Sequence, residues 1–140
     1  MRASARPTSA TSSTWPARSS PEQVSAVAKR GFFRIADLWG LTPAQMQILL
    51  GAPSRSTFYG WKKGAGGLLP RDTLERISYL VGIYKALQVL FPDPHQADAW
   101  IKKPNETFGG RSALDRMLAG NVADLQAVRS YVDYVRGGPS

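Results

Sequence analysis

Cysteine is absent from this 140-residue chain. That excludes disulfides, iron–sulfur clusters and cysteine-bound zinc together, and it suits a reducing compartment. Histidine occurs once, as His95 in a polar stretch after Pro94. Metal sites gather several donors, so no metal centre is expected and His95 reads as a surface or capping residue. No nucleophile stands with a base motif, and Gly64-Ala65-Gly66-Gly67 lacks the Lys-Ser/Thr that completes a phosphate-binding loop. The chain is therefore read as a non-enzyme with no cofactor. Long apolar runs are missing; Ile48-Leu49-Leu50 is a typical one. A membrane-spanning helix needs about 20 apolar residues, so no membrane segment is expected. Sustained apolar–polar alternation, the mark of a strand, is also missing, and there is no internal repeat.

Acid is scarce in the front half. Residues 1–70 hold nine Lys/Arg against two Asp/Glu, and residues 71–140 hold nine against eight, so the formal +8 divides into +7 and +1. A basic segment attracts polyanions and speeds association with them. The near-neutral rear points to a different kind of partner. Hydrophobic residues make up 43% of the chain, enough to bury a core.

Residues 1–20 are rich in Ser, Thr, Ala and Arg, contain no acid, and read as a disordered basic tail. No apolar segment follows Arg2 and Arg6, so a secretory signal is not expected, although the composition is also that of an organelle transit peptide. Arg2, Arg6 and Arg18 are candidate phosphate contacts. After Pro21, Val24, Val27, Ala28, Ile35 and Leu38 recur at helical spacing, with Gly40 as a stop. Thr42-Pro43-Ala44-Gln45 carries a cap, a first-turn proline and a residue that can bond back to the cap. That helix runs to Gly51. Ser54 can cap the next, over residues 55–63, with Gly64 ending it. A glycine-rich connector follows to Pro70. Asp72 to Glu75 can cap a longer helix with a stripe of Leu74, Ile77, Leu80, Val81, Tyr84, Leu87 and Leu90/Phe91. Further helices are predicted at about 94–102, from Ser112 to near Gly120, and from Val122 to the stop at Gly137-Gly138-Pro139. Residues 104–111 read as a loop. The fold class is all-α.

Two short helices meeting at a tight turn form a helix-turn-helix, whose second helix can lie in the major groove. The groove-facing set is Arg55, Ser56, Thr57, Tyr59, Lys62 and Lys63. Arginine can reach guanine bidentately, hydroxyls bond bases or phosphates, and lysine neutralises phosphate. Phe58 and Trp61, three apart, instead suit anchoring to the core. The bland alternative is a helical hairpin with a solvated basic face. Further on, Trp100 and Phe108 flank a loop bearing Lys102, Lys103, Asn105 and Arg111. Aromatics beside arginine are frequent interface anchors, and filling a small core is the other reading. Gly109-Gly110 permits an unusual backbone or an ordinary turn. Tyr131, Tyr134 and Arg136 lead into a polar end, Gly137 to Ser140, that either frays or inserts into a partner's cleft.

Leu41-Thr42, Gln45, Leu49-Leu50-Gly51, Ser54, Thr57, Trp61 and Gly64 resemble the Xre/Cro-type helix-turn-helix. Leu69-Pro70, Leu74, Arg76-Ile77, Ile83 to Leu87, Leu90-Phe91, Trp100, Pro104-Asn105, Phe108 to Ser112 and Leu114-Asp115 are similar to the Xre/MbcA/ParS-type antitoxin family. The resemblance implies a DNA-binding region at 21–70 and a helical toxin-binding domain within 71–140, about 80–138. It implies a RES-domain toxin partner that consumes NAD or transfers its ADP-ribose, inhibited by occlusion of its NAD pocket. It also implies promoter DNA as a second partner, bound by a homodimer within a toxin–antitoxin hetero-oligomer, in a bacterial cytoplasm. On this reading the toxin-binding residues are Trp100, Lys102, Asn105, Phe108, Gly109, Gly110, Arg111, Tyr131, Tyr134, Arg136, Gly137 and Gly138. The rival classes are a transcriptional regulator with no toxin partner and an interaction module whose helix-turn-helix no longer binds DNA.

Overall fold

The computed structural model describes residues 19–137. Seven α-helices follow one another: α1 Pro21–Trp39, α2 Pro43–Leu49, α3 Arg55–Lys62, α4 Arg71–Leu90, α5 Pro94–Trp100, α6 Ala113–Met117 and α7 Val122–Gly137. Residues 1–18 of the expected basic tail, with Arg2, Arg6 and Arg18, lie outside the described residues, whereas Ser20 joins α1 as its N-cap.

Local chemistry starts most of these helices. Thr42 Oγ1 accepts the Gln45 N–H at 3.1 Å while Gln45 Oε1 accepts the Thr42 N–H at 2.9 Å, the reciprocal box read from the sequence. Ser20 with Gln23, and Ser112 with Asp115, form the same arrangement at α1 and α6. Ser54 caps α3 through the Thr57 N–H, and Asp93 caps α5 through the His95 N–H. Losing such a cap costs about 0.5–2 kcal/mol. The start of α4 is a correction. Its N-cap is Pro70, with no side-chain cap bond, and Asp72 turns along the helix to accept from Arg76 Nε at 2.9 Å. Asp72 thus lies inside the first turn, where an i,i+4 arginine outcompetes the capping role. A second correction concerns residues 104–111. They hold two two-residue strands, β1 Pro104–Asn105 and β2 Arg111–Ser112, paired antiparallel about a single 3-10 turn at Glu106–Phe108. Strands this short carry no alternation to read.

The core runs along α4. It packs against α1, α5 and α7, burying Thr73, Arg76, Ile77, Leu80, Ile83, Ala86 and Leu87 on more than one face. In α1 the buried stripe is Ala28, Phe32, Ile35, Ala36 and Trp39. Val24, Val27 and Leu38, read from the sequence as part of that face, are half-buried on its flanks. The two aromatics rotate the buried face because each covers more apolar area than a valine.

Polar contacts tie separate segments together. Lys29 Nζ donates to the carbonyls of Ala65 and Gly67 at 2.8 and 2.7 Å, and the Leu69 N–H donates to Ser25 Oγ at 2.9 Å, so α1 holds the connector after α3. Arg76 Nη1 donates to the Gly120 carbonyl at 3.0 Å, joining α4 to the turn before α7. Arg116 Nε donates to Asp124 Oδ1 at 2.9 Å, and Asp124 Oδ2 accepts the Asn121 N–H at 3.1 Å. The Arg116 hydrogen bond holds the Asp124 carboxyl below its ordinary pKa, against the opposing effect of burial.

Helices α4 and α7 run in the same sense: Arg76 reaches Gly120, and one and a half turns on, Gly82 meets Arg129. The Arg129 guanidinium lies where a Gly82 Cβ would be, and Arg129 Nε pairs with Asp133 at 3.0 Å. Glycine inside a helix costs about 1 kcal/mol relative to alanine. Here it opens the space that lets Arg129 lie across α4.

Gly82→Ala stabilises an Arg129→Ala background by about 1 kcal/mol, as helix propensity dictates, but gains less or destabilises when Arg129 is present. Urea unfolding of the four variants checks the change. Asp124→Ala lowers stability by about 1–2 kcal/mol at neutral pH. Because the folded carboxyl has the depressed pKa, its contribution is present above the ordinary carboxylate value and is lost as pH falls through the folded one. The gap between parent and variant therefore narrows on acidification, read from unfolding midpoints at pH 7 and pH 3.

Candidate nucleic-acid and partner interfaces

Helix α3 is anchored from below and open above. Phe58 and Trp61 are buried, and Phe33 of α1 packs against Phe58 with ring centroids 5.8 Å apart. Arg55, Ser56, Thr57, Lys62 and the C-cap Lys63 are exposed, and Tyr59 is half-buried. Arg55, Tyr59 and Lys62 fall at i, i+4 and i+7, one stripe of the helix. The Arg55 guanidinium lies over the Tyr59 ring, 5.4 Å from its centroid, which holds a long side chain in an extended, pre-ordered pose. Thr57 is less available, since its hydroxyl accepts from Ser54 Oγ at 2.9 Å. Gly60 lies mid-helix with nothing within 4 Å of where its Cβ would be.

Charge pairing differs between the two halves: none of the six described cations up to residue 70 is ion-paired, against five of the nine beyond it, where Arg71, Lys85, Lys102 and Lys103 are the unpaired ones. All five ion pairs among the described residues lie at residue 72 or beyond: Asp72–Arg76, Arg111–Asp115, Arg116–Asp124, Arg129–Asp133 and Asp133–Arg136. Among the described residues, Arg30, Arg34, Arg55, Lys62 and Lys63 have no carboxylate within ion-pair distance. Exposed and unneutralised, this set on α1 and α3 can neutralise phosphates. Arg30 and Arg34 were missed by the sequence reading. Their signal was an i,i+4 pair of arginines on a helix with only two acids.

The rear half presents aromatics instead. Trp100 from the end of α5 stacks on Tyr131 of α7 at 6.2 Å and 14°, and Phe108 meets the same ring edge-on at 5.5 Å. All three are half-buried, packed against the core on one side with the remaining surface outward. Trp100 thus packs on the core with part of its ring left accessible. Tyr134 and Val135, one turn beyond Tyr131, are exposed by 69% and 46%. Gly109 and Gly110 take positive φ, 69° and 84°, and turn the chain between the paired strands.

The polar candidates divide. Asn105 Oδ1 accepts the Thr107 N–H at 2.9 Å and shapes the turn. Lys102 Nζ donates to the Gly40 carbonyl at 3.2 Å, reaching the end of α1. Arg111 is 75% exposed with only a 4.0 Å pair to Asp115, and Arg136 is held at 3.6 Å from Asp133. Gly137 is the last residue of α7; Gly138 lies outside the described residues. The structure thus brings Trp100, Phe108 and Tyr131 together, while Lys102 reaches toward α1. No helix among the described residues is long and apolar enough to cross a membrane.

The comparisons with known proteins match two successive regions of the chain. Residues 20–82 match the antitoxin Xre-like helix-turn-helix domain, and residues 86–138 match the antitoxin Xre/MbcA/ParS C-terminal toxin-binding domain. The boundary between the two falls within α4. A protein of Sinorhizobium fredii, described as uncharacterized protein y4oB, is 55% identical over 107 residues, covering 76% of this chain and 82% of its own length. With an Xre-like DNA-binding fold in front and a toxin-binding helical domain behind, this chain belongs to the Xre/MbcA/ParS antitoxin family.

Proposed function

We propose that this antitoxin silences a RES-type toxin, one that consumes NAD or transfers its ADP-ribose, by occluding the toxin's NAD pocket. It also represses its own promoter, acting as a homodimer in the bacterial cytoplasm. The observation that carries the reading is the distribution of charge: none of the six described cations up to residue 70 is ion-paired, whereas five of the nine beyond it are. A surface of free cations suits a polyanion. The half-buried Trp100–Tyr131–Phe108 group, continued by exposed Tyr134 and Val135, suits a protein partner, because rigid aromatics give large contact area at small entropic cost. The toxin-contact residues are those around this group, with Arg111, Arg136 and the end from Gly137 onward entering the toxin's cleft. The protein acts by binding, not by catalysis.

The free cations of α3 would serve a transcriptional regulator without a toxin partner equally well. The adjacent reading frame discriminates: an antitoxin has a small toxin gene beside it.

Co-expression with the toxin encoded alongside restores growth and yields a co-purifying complex; persistent growth arrest overturns the antitoxin reading. Arg55→Ala with Lys62→Ala weakens binding to promoter DNA at least tenfold, while neutralisation is retained. The slope of log K against log salt falls by about 0.9 for each phosphate that is no longer neutralised. Deleting residues 136–140 has the opposite pattern, sparing DNA binding and abolishing rescue. Gel-shift titrations and growth assays on both variants check this, and loss of both activities in each would refute the separation of roles.

A further inference from the structure

Between α1 and α3 lies a cavity of about 300 Å³, lined by Ala26, Lys29, Arg30, Phe33, Trp61, Lys62 and Gly64. Three of the seven lining residues are cationic, and none of the seven is acidic. Arg30 and Lys62 are exposed and come from different helices, α1 and α3. Lys29 is 6% exposed and forms part of the wall. Its ammonium directs two of its three donors at the carbonyls of Ala65 and Gly67, and no carboxylate lies within ion-pair distance among the described residues. A buried charge satisfied only by neutral carbonyls is electrostatically under-compensated, and burial pulls its pKa down. An anion entering this space would meet two flexible cations and offset the charge of a third. Phe33 and Trp61 supply apolar walls, suited to the sugar or ester carbons that accompany a phosphate.

We propose that this cavity is a phosphate-ester site that seats a backbone phosphodiester of duplex DNA, with Arg30 and Lys62 as its ligands. The proposal rests on the reading that α3 faces DNA and extends it to α1. Lys62 belongs to the same stripe as Arg55 and Tyr59 and also lines the cavity, so it links that stripe to Arg30, which lines the cavity from α1. A contact of this kind positions the recognition helix and reads no sequence. Arg30 therefore contributes equally to every duplex, unlike residues that touch base edges.

The test uses the full chain with promoter and random-sequence duplexes across a salt series. Arg30→Gln weakens both duplexes by the same factor, about three- to tenfold, and reduces the slope of log K against log salt by about 0.9. Lys85→Gln, an exposed change of the same charge on α4, leaves affinity and slope at the parent's values. If Arg30→Gln keeps the parent's slope while Arg55→Ala loses binding, the cavity proposal fails and the DNA-facing reading of α3 stands. If the parent shows no salt-dependent affinity for either duplex, both fail. A second measurement follows the Trp61 indole N–H by NMR. It shifts saturably with duplex DNA in the parent and not in Arg30→Gln. A saturable shift with inorganic phosphate alone, and none with DNA, would mean a site for free phosphate and would overturn the assignment to the DNA backbone.

Discussion

The structure depends on the burial of α4 between the two halves of the chain. A helix that packs on α1 along one side and α7 along another cannot move relative to either without exposing Ile77, Leu80, Ile83 and Leu87, all nearly inaccessible. Burying such a side chain contributes about 1.5–3 kcal/mol, so the four together outweigh any polar contact in the molecule. The two matched family regions meet inside this helix. The helix-turn-helix region and the toxin-binding region consequently share one buried helix, with Arg76 joining it to the turn at Gly120.

On that frame, electrostatics assigns work to the two ends. In the rear, acids stand four residues from arginines in three of the five pairs, so part of the positive charge is neutralised locally. Such exposed pairs add little stability. Their larger effect is to leave the rear surface weakly attractive to polyanions. The front lacks acids to do the same, and its cations remain available. Lys29 is the exception, a front cation turned inward as a clasp on the Ala65–Gly67 carbonyls, which fixes the connector leaving α3. The pose of the recognition helix therefore relies on α1 through both Lys29 and the Phe33–Phe58 contact.

Where the sequence reading erred, a tertiary preference outweighed a local one. Asp72 looked like a cap because it precedes a helical run, but Arg76, one turn on, claimed its carboxylate. Val24, Val27 and Leu38 have the spacing of a buried stripe, yet Phe32 and Trp39 took the interior. Residues 104–111 read as irregular because two residues per strand are too few to show a period, and the pairing of Asn105 with Arg111 arises only once Gly109 and Gly110 turn the chain.

Helix starts other than that of α4, the turn before α3, the anchoring pair Phe58 and Trp61, and the concentration of positive charge were all determined by sequence. Each depends on residues within about four positions of one another or on simple composition. Tertiary structure alone decided that Trp100, Phe108 and Tyr131 form one aromatic cluster, that Lys29 is satisfied by carbonyls 36 and 38 residues away, and that Arg30 and Lys62 line one cavity. These juxtapositions are fixed by how helices stack around α4, and stacking is set by apolar burial summed over the whole chain, which no local pattern encodes.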